Sequence, residues 1–273
     1  MPDTTATGGD LRGGAGALAA RFLDARALGS DASGRLYVVD AGPPHVAVFA
    51  PDGRAEALLG GPGTSDESLA EPVDVDPTNG QAVYVADAGT GRVVRFTAER
   101  RAAEAIPIPD AADAGALSTR RTDARGRPVG VAAGPGGVLF VAEARRGVVL
   151  VFDRDRRVER TLGGPGALSA PTAIAADAQG RLFVVDGGTV RTFDAFGSPG
   201  SALVARGVGV VRGVSVAGRL VLVAGDAGVA LFRDGVQTAT LASPVPLVDA
   251  AVAGGAVWGL GRTRLVRLGA VPE

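Results

Sequence analysis

The chain has 273 residues, a formal net charge of −1 at neutral pH and no cysteine. The missing cysteine excludes disulfides, thiolate metal sites and cysteine nucleophiles, and the near-zero charge provides no global field toward nucleic acid or an anionic membrane. Its 42 glycines, few aromatics and valine- and alanine-rich apolar content suit many short strands with tight turns, and no apolar run approaches the roughly 18 residues of a membrane-spanning helix.

In chain order, residues 1–16 are small and polar, without the charged-then-apolar pattern of a signal segment, and read as a flexible leader. Such a leader would suit a tether left after signal processing, so the expected location leans to the periplasm or cell envelope, with the cytoplasm as the alternative. Residues 17–273 then read as one domain. The apolar stretch Ala17–Leu23 is expected to supply an outer strand. From Ala25 onward one pattern recurs: an inner strand, a Gly-containing turn, a second strand ending in an acid, another turn and a third strand. It appears as Arg35-Leu-Tyr-Val-Val-Asp40 with His45-Val-Ala-Val-Phe49, then as Pro72-Val-Asp-Val-Asp76, Ala82–Asp87 and Arg92–Phe96. Further copies run from Pro128 to Phe152 and from Pro171 to Phe193, and two weaker ones from Val211 to Phe232 and from Leu247 to Leu268. Ala25 to Asp40, Pro72 to Asp87, Pro128 to Glu143 and Pro171 to Asp186 each differ by 15. Repeats of this length, with period-two alternation and tight turns, predict an all-β, six-bladed β-propeller of four-stranded antiparallel blades. The sixth copy lacks a fourth strand, so the ring is expected to be closed by the N-terminal strand, which would remove a bare edge. The polar stretch 110–127 is too long for a blade link and reads as an insertion.

The motifs resemble those of the NHL-repeat family of propellers, in the six-bladed bacterial form. Leu59-Gly-Gly-Pro-Gly63 leading to Pro72, and Leu162-Gly-Gly-Pro-Gly166 leading to Pro171, look like its glycine-rich link. Tyr37-Val-Val-Asp40, Tyr84-Val-Ala-Asp87 and Phe183-Val-Val-Asp186 look like its second strand. The resemblance implies the fold and says little of function.

Catalytic equipment is sparse. Lactonase-like propellers gather a metal through Glu, Asn and Asp, and lyase-type ones use several histidines. This chain has one asparagine, Asn79, in a predicted turn, and one histidine, His45, opening an outer strand. No Gly-x-Ser-x-Gly elbow is present. The expectation is therefore a protein that is not an enzyme, with no cofactor, metal or catalytic residue. The recurrent acids Asp40, Asp87, Glu143 and Asp186, with Asp226 as a weaker fifth, are expected to accept backbone N–H bonds in the following turn. At the start of the inner strands, Arg26, Asp74, Arg212 and Asp249 are expected to gather at one mouth of the channel, either as mutual ion pairs or as a charged recess. All 28 basic residues are arginine, and between Arg92 and Arg160 14 of them face 9 acids. Arg100, Arg101, Arg120, Arg121, Arg145 and Arg146 form a candidate patch for an anionic partner. The leading expectation is a non-enzymatic scaffold for protein or peptide partners, as part of a bacterial cell-envelope assembly. An RNA- or polyanion-binding domain is the alternative, and a degenerate lactonase-like hydrolase the third.

Overall fold

The computed structural model describes residues 21–77, 81–109, 126–164 and 167–272. The strands form six antiparallel meanders in chain order. Blade 1 comprises β1 (Ala25–Ser30), β2 (Leu36–Ala41), β3 (Pro44–Phe49) and β4 (Ala55–Leu59), and blade 2 comprises β5 (Pro72–Asp76), β6 (Ala82–Asp87), β7 (Arg92–Thr97) and β8 (Ala102–Pro107). Blade 3 comprises β9 (Pro128–Ala133), β10 (Leu139–Glu143), β11 (Val148–Phe152) and β12 (Val158–Gly163). Blade 4 has only three regular strands, β13 (Pro171–Ala176), β14 (Leu182–Asp186) and β15 (Thr189–Phe193). Blade 5 comprises β16 (Val211–Ala217), β17 (Leu220–Gly225), β18 (Gly228–Arg233) and β19 (Val236–Ala242). Blade 6 contributes β20 (Leu247–Ala253), β21 (Ala256–Gly261) and β22 (Leu265–Ala270). The expected six-bladed propeller is the observed fold.

The core is divided among the seams between blades. Tyr37 and Val39 of β2 pack with Val83 and Val85 of β6, whereas Leu36 and Val38 pack with Leu260 and Leu265 of blade 6. Alternate residues of one strand thus serve opposite seams, and equivalent clusters fill the other four. Period-two alternation therefore does not correspond to one buried face in the middle of a blade. The middle strands β2, β6, β10, β14 and β17 are buried at nearly every position, because each blade is covered on both sides. One-sided alternation survives in the outer strands, most regularly in β19.

Residues 17–20 of the expected closing strand lie outside the described residues, as does 110–125 of the insertion. Arg21–Asp24 is not a strand, although the Phe22 N–H donates to the Thr263 carbonyl at 3.0 Å and the Phe22 ring packs edge-on to Phe49 in the seam between blades 1 and 6. Among the described residues no helix is long and apolar enough to cross a membrane.

The recurrent acids end the second strands and are buried. Asp40 accepts the N–H groups of Leu23, Asp24 and Gly42, and Asp87 those of Ala70 and Glu71 plus the Thr90 hydroxyl. Glu143 accepts from Arg127, Arg145 and Arg146, and Asp186 from Ser169 and Ala170. Their job is structural, as expected, but most of the bonds go to the link entering the blade, with the following turn contributing less. Asp226 does not share it. Gly225 and Gly261 hold the equivalent register positions in blades 5 and 6. At Gly225 a Cβ would collide with the Val208 carbonyl, and there the link bonds directly through Ala227 N–H to Val208 O at 2.8 Å.

Candidate functional site

All six inner strands begin with the same irregularity. The register shifts at Arg26, Val73, Val129, Thr172, Arg212 and Val248, each the second residue of its strand. A bulge re-aims the side chains that follow it. Here it leaves Arg26 and Arg212 exposed at the rim, while Asp74 and Asp249 turn into the ring. Of the four residues expected at one mouth, Asp74 and Asp249 line a shared central cavity with Leu28, Val131, Ile174 and Ser215. Arg26 instead pairs with Asp24 at 2.5 Å and Arg212 with Asp226 at 3.1 Å.

The central carboxylates tie neighbouring blades together. The Leu28 N–H of blade 1 donates to Asp249 Oδ2 of blade 6 at 2.8 Å. The Val131 and Ala133 N–H groups of blade 3 donate to Asp74 Oδ2 at 2.8 Å and Asp76 Oδ2 at 2.6 Å. Gly213 makes room for Asp249, since a Cβ there would collide with its Oδ1. Burial pushes the Asp249 carboxyl up to about 7, against the opposing pull of the Leu28 and Ala250 N–H groups. Asp74 keeps some surface open to the channel yet lies deep among protein atoms, and desolvation, with Asp249 and Asp76 nearby, holds it well above the ordinary carboxylate range. The cavity they line is only about 50 Å³, room for water rather than for an organic substrate. Among the described residues no three His, Asp or Glu side chains are grouped to hold a metal.

The arginine patch does not assemble on one surface. Arg100 and Arg101 lie in the turn between the third and fourth strands of blade 2, Arg145 and Arg146 in the turn between the second and third strands of blade 3. These turns sit at opposite ends of the blades. Arg100 is paired with Glu56, and Arg146 with Glu143 at 3.1 Å. Arg120 and Arg121 lie outside the described residues.

What sequence reasoning missed is the sector made by blades 4 and 5. After β15 the chain runs irregularly along the outside of blade 4, joined to it by bridges from Phe193 to Pro199 and from Val190 to Leu203. A groove of about 580 Å³ separates this segment from β19, lined by Ala202, Val204, Arg206, Val236, Gln237 and Thr240. The Gln237 side-chain amide spans its floor, accepting from Arg206 N–H and donating to Arg206 O, both at 2.9 Å. Val204 is 66% and Val236 65% exposed, and Phe196, on the turn after β15, is 82% exposed. Of the seven large apolar residues exposed among those described, four (Phe196, Val204, Val210 and Val236) fall in this sector. The sequence did carry a signal: Ser198-Pro199-Gly200 interrupts the place where a fourth strand belongs.

No protein-family model and no curated protein matches the sequence. Solved structures do share the fold. A gluconolactonase from Xanthomonas campestris superposes with a TM-score of 0.70 at 14% identity, over 96% of this chain and 94% of that one. Virginiamycin B lyase from Staphylococcus aureus gives 0.62 at 11% identity, over 91% and 96%. A chain of the nidogen/laminin complex gives 0.62 at 16% identity, over 83% and 84%. The expectation that the chain is not an enzyme is corrected by these neighbours. The propeller it forms is one on which a lyase and a gluconolactonase are built as well as a protein-binding module, so a shortage of histidine and asparagine does not remove it from the catalytic class.

Proposed function

We propose that the protein is an NHL-type propeller that binds an extended segment of a protein partner in the groove between the outer edge of blade 4 and β19. The observation that carries this reading is the concentration of exposed apolar side chains in that sector, two of them, Val204 and Val236, lining one groove. Exposed apolar side chains grouped in one groove mark interaction sites, and a partner segment covering Val204 and Val236 gains about 25 cal/mol per Å² of apolar area, while Arg206, Gln237 and Thr240 give the rest of the lining a polar character. The outer edge of β19 also offers backbone groups that an extended peptide can pair. The protein-binding neighbour in the nidogen/laminin complex supports a partner of this class. A polyanion partner finds less support, because the arginine pairs stand at opposite ends of the blades and two of the arginines are ion-paired. A binding surface of this kind is compatible with catalysis elsewhere on the ring.

The test is capture from the source cells at low and high salt by the native protein, by a Val204→Asp/Val236→Asp variant, and by Leu58→Asp as a control at an exposed position of β4. A defined protein is expected to remain at high salt on the native protein and the control, and to fall at least tenfold on the groove variant. Equal retention by all three overturns the assignment. Nucleic acid held only at low salt replaces it with the polyanion reading.

A further inference from the structure

A separate cavity of about 340 Å³ opens between blades 4 and 5 on the face that carries the turns between first and second strands. It exists because blade 4 has no regular fourth strand. Between Phe193 and Leu203 the chain leaves the sheet and uncovers the seam, whereas the next seam is filled by Leu241, Val245, Leu268 and Val271. The floor is apolar, formed by Phe183, Phe193, Leu203 and Val221. The rim carries Arg181, Arg219, Asp194 and Asp234.

The hydrogen bonds already made at the rim decide which chemistry it accepts. Both oxygens of Asp234 are taken by Arg219 Nη2, at 2.8 and 2.9 Å. Asp194 Oδ1 accepts the Phe196 and Ser198 N–H groups at 2.9 and 2.7 Å. These bonds hold both carboxyls below their usual range, so they remain charged acceptors already in use. Arg181 spends its Nε on the buried Asp177 at 2.5 Å. Each guanidinium has five N–H donors in a fixed fork, and the bonds just named occupy Nε of Arg181 and Nη2 of Arg219. Donors therefore exceed acceptors at the rim, above a floor with two phenyl rings.

We infer that this cavity binds a small organic acid: a ring-sized apolar body on the Phe183, Phe193, Leu203 and Val221 floor, with its carboxylate accepting from Arg219 and Arg181. The volume lies at the lower end of the roughly 300–1,000 Å³ typical of small-molecule sites, which limits the body to about one ring and a short chain. Charge-assisted bonds to arginine are about twice as strong as neutral ones, so the carboxylate sets the selectivity and the aromatic floor the shape.

The probes are 3-phenylpropionate and its neutral counterpart 3-phenylpropan-1-ol, titrated by calorimetry and by saturation-transfer NMR into the native protein, Arg219→Gln and Ser201→Trp. Ser201 is exposed at the cavity mouth, so a tryptophan there fills the entrance without touching the core. The acid is expected to bind the native protein roughly tenfold more tightly than the alcohol. Arg219→Gln should remove most of that difference while leaving the alcohol unchanged, and Ser201→Trp should abolish binding of both. Equal affinity for acid and alcohol, binding of neither at millimolar concentration, or binding untouched by Ser201→Trp would each overturn the assignment.

Discussion

At Asp249 two opposed effects meet in one side chain. Loss of water raises its carboxyl to about 7, while two backbone N–H groups favour the charged form without cancelling that rise. Because the folded value exceeds the roughly 3.9 of an unfolded chain, the folded state binds the proton more tightly. Its contribution to stability is fully present below that unfolded value and is lost as pH rises through about 7. Asp74, raised in the same direction, adds to the slope. Urea midpoints are thus expected to fall between pH 5 and pH 8, each unit of elevation contributing about 1.4 kcal/mol. Asp249→Asn should flatten that dependence, and a native midpoint that is level or rises over this range would refute the assignment of elevated carboxyls. Sequence reading placed Asp74 and Asp249 correctly as inner-strand residues, because their positions follow from the repeat. It misplaced Arg26 and Arg212 because a bulge at the second residue of every inner strand leaves no mark in period-two alternation. The following residue, not the second, turns into the ring.

At the level of the element, one contact explains the repeat. The carboxylate that ends each second strand in blades 1 to 4 accepts the backbone N–H group 16 residues earlier: Asp24 to Asp40, Glu71 to Asp87, Arg127 to Glu143 and Ala170 to Asp186. The constant 15-residue offset in the sequence is the imprint of that geometry, one residue further on. Truncating such an acid removes the acceptor of the part-buried Ala70 and Glu71 N–H groups and of the Thr90 hydroxyl, so Asp87→Ala should lower stability by about 1–3 kcal/mol in equilibrium denaturation. A loss below about half a kcal/mol would show that the link satisfies itself without the carboxylate. Gly225→Asp should not install the same bond but should destabilise, since its Cβ would meet the Val208 carbonyl. The blades were legible in the sequence because strand, turn and acid are local signals that agree with one another. The groove and the seam cavity were not, because they come from something blade 4 lacks, and their lining residues converge from separate turns. The grouping of the arginine pairs was not legible for a simpler reason: counting charge along the chain ignores that successive turns of a meander point to opposite faces, and that Arg100 and Arg146 balance acids.

Across the whole molecule, stability is shared around the ring. Every blade gives half of its middle-strand side chains to one neighbour and half to the other, so no blade owns a core. In an open stack of repeats the terminal units fray first, because they have one neighbour instead of two. Here the last blade meets the first: Leu260 and Leu265 pack with Leu28, Val38 and Phe49, and Asp249 accepts the Leu28 N–H. Trp258, the only tryptophan, rests against that seam and donates its indole N–H to the Ala253 carbonyl at 3.3 Å. Its fluorescence therefore reports the junction between chain ends, while far-UV circular dichroism reports all the strands. If the junction is as strong as the other seams, the two signals should follow one coincident transition in urea. Phe22→Ala, which removes a buried ring from this seam alone, should shift both signals together by about 3–5 kcal/mol. A Trp258 transition that precedes the loss of strand signal would mean that blades 1 and 6 part first, and that the molecule behaves as an open array whose ends happen to touch.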